Sequence, residues 1–294
     1  MRVYSATRCL DHDQGAGHPE SPSRLAAVLA ACARQDIPVH TALPAPMDAI
    51  GAVHAANYLA GAMAMSARGG ELGADIRVNS GSWDATLAAS GAALAALDYA
   101  LSGAGHAFAA IRPPGHHALA DRGMGFCIVN HAAVLAAAAR AAGHRRVLIV
   151  DWDVHHGNGT QALVQDDPAI RFVSMHQWPW YPGTGGAQER GVGNCFNVPM
   201  SAGLPPAAYV ESLWHAVHLA TTDWAPELVI ISAGYDSMFG DPLGDFTLEP
   251  AHYAEWVGRL RDDSPDAPIV ALMEGGYAPD RLAAGVMATV RALA

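Results

Sequence analysis

Asp151-Trp152-Asp153-Val154-His155-His156-Gly157-Asn158-Gly159 sets two carboxylates and an imidazole two residues apart, directly after the apolar run Val147-Leu148-Ile149-Val150. In an extended segment alternate side chains point the same way, so Asp151, Asp153 and His155 share one side while Trp152 and Val154 face the other. Hard oxygen and borderline nitrogen at one strand end suit a divalent cation. A second motif, Arg112-Pro113-Pro114-Gly115-His116-His117, holds two imidazoles side by side on a segment stiffened by proline and turned at Gly115. If each imidazole meets a different partner, their pKa values separate, leaving one as a base while the other stays charged. Ser232-Ala233-Gly234-Tyr235-Asp236 runs into Gly240-Asp241-Pro242-Leu243-Gly244 and supplies two further carboxylates. Spacing leaves Asp236 and Asp241 equally open as a third ligand, and either also suits a turn cap. Met273-Glu274-Gly275-Gly276-Tyr277 lets the backbone run close to a ligand and ends on a phenol able to donate to an oxygen developing negative charge. Taken singly, a histidine pair is as often an exposed loop, and a tyrosine after two glycines is usually structural. Four polar motifs that all follow apolar runs carry the inference.

The elements that must position these motifs are short β-rich runs at 106–111, 147–150, 170–174, 228–232 and 269–273. Between them, Ala- and Leu-rich segments at 82–101, 129–142, 207–222, 250–261 and 279–293 read as helices, several opening on Pro, Ser or Asp. This alternation predicts a parallel sheet flanked by helices. Ligands of such sheets gather beyond the carboxyl ends of the strands, where all four motifs fall. No internal repeat or linker interrupts the pattern, so a single α/β domain over 1–294 is expected.

Composition excludes several classes. Of 294 residues, 51% are apolar, enough for a substantial core. The formal charge of −11 argues against a nucleic-acid partner, whose phosphates need clustered Lys and Arg. Cys9, Cys32, Cys127 and Cys195 show no CxxC spacing, so neither a zinc knuckle nor a disulfide framework is indicated and reduced thiols are expected. The N-terminus lacks the apolar core of a signal peptide, and no run reaches about 18 uninterrupted apolar residues. The expectation is a cytoplasmic protein without a membrane partner.

The four motifs, with HPESPSR at 18–24, GFCIVNHAA at 125–133, MHQWPWYPGTG at 175–185 and NVP at 197–199, resemble the histone deacetylase and acetylpolyamine amidohydrolase superfamily. The likeness is greatest to its class II-like bacterial members and runs from His18 to Tyr277. It implies an arginase-like fold with a central parallel sheet and one zinc per chain, with ferrous iron as an alternative occupant. Carried over residue by residue, the family pattern gives the metal to Asp153, His155 and Asp241, the last taken as the Asp of Gly-Asp-Pro. His117 is then the general base and acid, His116 its charged partner, and Tyr277 the donor to the oxyanion. Asp151 orients His116, and Asn158 orients His117. Gly125, Phe126, Tyr181 and Leu248 match a substrate tunnel, and Arg24 matches an arginine near an internal cavity. A structural potassium ion is implied at Asp151, Asp153, His155, Ser174 and Met175, largely through backbone oxygens.

The implied reaction removes an acetyl or related acyl group from an acylated amine, either an acetyl-lysine side chain or an acetylpolyamine. A homo-oligomer is compatible with this. Asn158 stands where class I relatives have Asp, Tyr277 where some class II relatives have His, and Leu243 where a polyamine-specialised eukaryotic relative has Glu. Two alternatives share the fold. A binuclear-metal ureohydrolase would need further His and Asp ligands, and a non-catalytic acyl-ligand-binding protein would have no need of intact His116, His117 and Tyr277.

Overall fold

The computed structural model describes residues 1–294. In chain order its strands are β1 (Arg2–Tyr4), β2 (Val39–His40), β3 (Gly70–Gly73), β4 (Ile76–Val78), β5 (Ala107–Ala109), β6 (Val147–Asp151), β7 (Ile170–Gln177), β8 (Cys195–Met200), β9 (Leu228–Ala233) and β10 (Ile269–Met273). The helices are α1 (Pro22–Arg34), α2 (Met47–Gly51), α3 (Ala56–Arg68), α4 (Ser82–Tyr99), α5 (His131–Ala141), α6 (Asn158–Val164), α7 (Pro206–Thr221), α8 (Pro250–Asp263) and α9 (Pro279–Ala292). Eight strands form one parallel sheet in the order β2-β1-β5-β10-β9-β6-β7-β8, and β3 pairs with β4 as a small antiparallel hairpin. This is the expected single sheet flanked by helices.

The central strands form where the sequence is continuously apolar. Every residue of β6, β9 and β10 is buried, as a strand covered on both faces requires. Trp152 and Val154 turn into the core as expected. The Trp152 indole stacks on Trp256 at 5.5 Å and lies 5.9 Å from Tyr253, a burial that stabilises by about 1.5–3 kcal/mol per large side chain. Caps fix the helix starts. Asn130 accepts the Ala133 N–H at the head of α5, and Glu249 and His252 form a reciprocal capping box ahead of α8. Length and composition alone would let the run Ser82–Ala104 cross a membrane. Within it Ala85, Ala89, Ala92, Ala93 and Ala96 are fully buried, and α4 packs against β1 and β5.

Sheet order places the chemistry. The strands that precede the four polar motifs, β5, β10, β9 and β6, are consecutive neighbours, so their carboxyl ends open onto one patch. Register sharpens this: Asp151 at the end of β6 lies opposite Ser174 of β7 on one side and Ser232 of β9 on the other.

Candidate active site

Asp153, His155 and Asp236 converge just beyond the β6 and β9 ends, each offering one ligand atom within 4.8 Å of the others. His155 Nδ1 stands 3.0 Å from Asp153 Oδ1 and 3.2 Å from Asp236 Oδ2. Backbone amides fix the outer oxygens: Gly275 N–H donates to Asp153 Oδ2 at 2.8 Å and Val154 N–H to Asp236 Oδ1 at 2.9 Å. Asp236 Oδ2 is buried and has no hydrogen-bond partner. Burial, reinforced by the Asp153 charge, pushes the Asp236 carboxyl up to about 7. Burial alone would lower His155, but its hydrogen bond to Asp153 and the close carboxylates of Asp153 and Asp236 outweigh that and push it up to about 10. Two buried carboxylates crowd one imidazole, so the group favours positive charge. Gly275 is required beside it, because a Cβ there would run into both carboxylates.

The histidine pair hangs on the opposite wall. Glu274, fully buried, accepts the Gly115 N–H at 2.7 Å and the His116 N–H at 3.2 Å, clamping the loop after β5 against the loop after β10. The two rings lie 4.0 Å apart, yet their partners differ. His116 Nδ1 meets Asp151 Oδ2 at 2.9 Å, and its Nε2 lies 3.7 Å from Asp153 Oδ1. Burial opposes charge on His116, but Asp153 and Asp151 overcome it and hold the imidazolium well above the ordinary histidine range. His117 Nδ1 meets the neutral Asn158 Oδ1 at 2.7 Å. Burial, with the charges of His116 and His155, holds His117 well below the ordinary range. The two histidines are split in the way expected of a base and a charged neighbour.

Tyr277 sits at the end of a tightly braced loop. Arg24, buried, donates from Nε to Gly276 O at 2.6 Å and from Nη2 to Glu274 O, and its guanidinium lies 4.9 Å over the Tyr277 ring. Glu20 accepts from both Arg24 and Arg112. Arg24 is thus a buried arginine that shapes the loop carrying Tyr277.

A cavity of 290 Å³ joins these groups to the surface, with His117, His155 and Tyr277 on its wall. Phe126 meets Tyr277 edge-on at 5.8 Å, and Tyr181 meets His117 edge-on at 5.2 Å. Gly125 has φ +57°, and a Cβ there would collide with the His117 ring. Asp75 ties the rim together, accepting from Gly125 N at 2.9 Å and from Tyr181 Oη at 2.8 Å. Trp180 donates to Leu243 O at 3.0 Å, and both residues line the wall.

The histone deacetylase domain model matches residues 18–293. The chain belongs to the histone deacetylase family. It is 37% identical over 277 residues to the histone deacetylase-like amidohydrolase of Pseudomonas aeruginosa, covering 89% of this chain and 73% of that one. The crystal structure of the HDA15 HD domain superposes with a TM-score of 0.95 at 34% identity, over 100% of this chain and 90% of that one. The acetylpolyamine aminohydrolase of Burkholderia pseudomallei superposes with a TM-score of 0.90 at 27% identity, over 100% and 98% of the two chains.

Within this histone deacetylase family fold, most expected residues meet: His117, His155 and Tyr277 line one cavity with Gly125, Phe126 and Tyr181, while Asp153 contacts His155, Asn158 contacts His117, and His116 lies against His117 and contacts Asp151. Two expectations are corrected. Asp241 does not join Asp153 and His155; Asp236 does. Both Asp241 oxygens are taken by backbone amides, Oδ2 accepting from Tyr277 N at 2.6 Å and Ala278 N at 3.3 Å, and Oδ1 from Leu243 N at 3.0 Å. Leu248 does not line the cavity either. Its backbone pairs with Ser237 and Phe239 and its side chain is fully buried in the main core, while Leu243 occupies the wall. Sequence reasoning gave no role to Glu274 and none to Trp180, although both lie inside motifs it used.

Proposed function

We propose that the chain is a zinc-dependent amidohydrolase that removes acetyl or related acyl groups from acylated amines. One observation carries this reading. The Asp153–His155–Asp236 group, with a carboxylate oxygen left without a hydrogen bond, reaches through His155 a cavity wall that also carries His117, whose pKa is held low, and the partly buried Tyr277. Two carboxylates and an imidazole fit a catalytic zinc, whose three protein ligands leave room for water and substrate. When bound, zinc supplies Lewis-acid polarisation of the amide carbonyl and lowers the pKa of water.

With its Nδ1 engaged by Asn158, His117 takes the proton of the attacking water at Nε2 as the water oxygen adds to the carbonyl carbon. His116, held charged by Asp151, keeps the neighbouring imidazole neutral beforehand and favours transfer of that proton onward. The Tyr277 hydroxyl donates to the former carbonyl oxygen as it gains negative charge. His117 then delivers the proton to the amine nitrogen while the C–N bond breaks, releasing acetate and free amine. Phe126 and Tyr181 flank the aliphatic stem of the leaving amine.

A structural potassium ion is part of the same reading. Asp151, Asp153, Ser174 and Met175 are fully buried, and no backbone N–H reaches the Asp153 and His155 carbonyl oxygens. Substrates are acetylated small amines or acetyl-lysine peptides, both of which present an acyl amide on an extended aliphatic stem. The test is acetate release from a panel of acetylpolyamines and acetyl-, trifluoroacetyl- and longer acyl-lysine peptides. At least one class should turn over, and His117→Ala should slow it by about 10²–10⁴-fold with zinc retained. Turnover by His117→Ala at the wild-type rate would overturn the mechanism.

A further inference from the structure

We infer that Asp241 is a positioning residue for Tyr277, binding the backbone that carries the phenol rather than the metal. This rests on the proposed role of Tyr277 as the oxyanion donor. Asp241 Oδ2 accepts two successive amides, Tyr277 N at 2.6 Å and Ala278 N at 3.3 Å. A carboxylate on paired N–H groups is a charge-assisted clamp that fixes backbone direction. The segment before it has little stiffness of its own, since Gly275 and Gly276 precede Tyr277 and Gly276 has φ +118°. Arg24 grips the carbonyls of Glu274 and Gly276 from one side, and Asp241 grips the amides of Tyr277 and Ala278 from the other. Between the two clamps the Tyr277 backbone has one orientation.

The second oxygen extends the clamp to the tunnel wall. Asp241 Oδ1 accepts Leu243 N–H at 3.0 Å, and the Leu243 carbonyl accepts the Trp180 indole N–H at 3.0 Å. One carboxylate therefore joins the loop after β9, which supplies Leu243, to the loop after β10, which supplies Tyr277. A residue that only capped its own turn would need the Leu243 contact alone. The two contacts to Tyr277 and Ala278, 36 and 37 residues away, are what the clamp adds.

A double-mutant cycle separates these roles. Asp241→Ala, Asp241→Asn, Tyr277→Phe and the combination Asp241→Asn with Tyr277→Phe are compared for kcat, KM and zinc per chain. Loss of an oriented oxyanion donor costs about 10²–10³-fold in kcat, so Asp241→Ala should lower kcat by about 10–100-fold with KM shifted less than about 3-fold and zinc retained. Asp241→Asn keeps one acceptor oxygen in place and should recover part of the loss. In the Tyr277→Phe background Asp241→Asn should add less than about 2-fold, because both changes disable one interaction. Should Asp241→Ala fail to fold, the isosteric Asn variant carries the cycle. Zinc lost from a folded Asp241 variant, or effects of Asp241→Asn and Tyr277→Phe that multiply, would overturn the positioning role. Full kcat in Tyr277→Phe alone would instead overturn the oxyanion role of Tyr277.

Discussion

Replacing Asn158 with Asp tests the electrostatics of the histidine pair, because it places a negative charge where a neutral amide oxygen stands 2.7 Å from His117 Nδ1. Two unit charges about 4 Å apart at an effective dielectric of about 20 interact by about 4 kcal/mol, equivalent to about 3 pKa units. Asn158 is only partly buried, and the new carboxylate must itself be desolvated, so a rise of about 1–2 units in the His117 pKa is expected. The sign follows directly. In the native chain burial, His116 and His155 hold His117 well below the ordinary histidine range, so its neutral, proton-accepting form persists into acid. In Asn158→Asp the imidazole gains its proton at higher pH, and the base is lost sooner as pH falls. The assay is the pH profile of kcat/KM for acetate release with zinc saturating, whose acid limb reports the free enzyme's base. That limb should move up by about 1–2 units. An acid limb that stays in place or moves down would refute His117 as the group that must be neutral.

Two further perturbations follow from the geometry. Gly125→Ala would put a Cβ against the His117 ring at a residue with φ +57°; kcat should fall by about 100-fold with zinc content unchanged, since small displacements of a catalytic group cost that much. Phe108→Ala empties a fully buried position in β5 and should destabilise the fold by about 3–5 kcal/mol in urea unfolding.

Parts of this structure were legible in residue order because one physical cause dominated them. β6 and β10 are covered on both faces, so their apolar runs carried the signal almost to the residue, from Val147–Asp151 and Ile269–Met273. β1 was not legible: it is three residues long and starts on an exposed arginine. β8 was missed because it is an edge strand whose partly exposed residues include Asn197 and Pro199. α1 and α3 were missed too, their apolar faces interleaved with Ser and Arg in α1 and with Asn, Gly and Ser in α3. At the site, the pairings of Asp151 with His116 and Asn158 with His117 were expected by family likeness, and the structure brings each within 3.0 Å. The choice between Asp236 and Asp241 was not legible. They lie five residues apart in one loop, and what separates them is which carboxylate the backbone amides of Leu243, Tyr277 and Ala278 have already claimed. That depends on the neighbouring strand in the sheet. Asp75 was obscure for a similar reason, since its partners Gly125 and Tyr181 lie 50 and 106 residues away.

The central claim is that Asp153, His155 and Asp236 together hold one catalytic metal. The most direct test is zinc bound per chain, measured on purified wild type, Asp236→Ala and Asp241→Ala at equal protein concentration. The account predicts one zinc per chain in wild type and Asp241→Ala, and loss of that zinc in a folded Asp236→Ala. Two metals per wild-type chain, or zinc retained by Asp236→Ala and lost from Asp241→Ala, would contradict it.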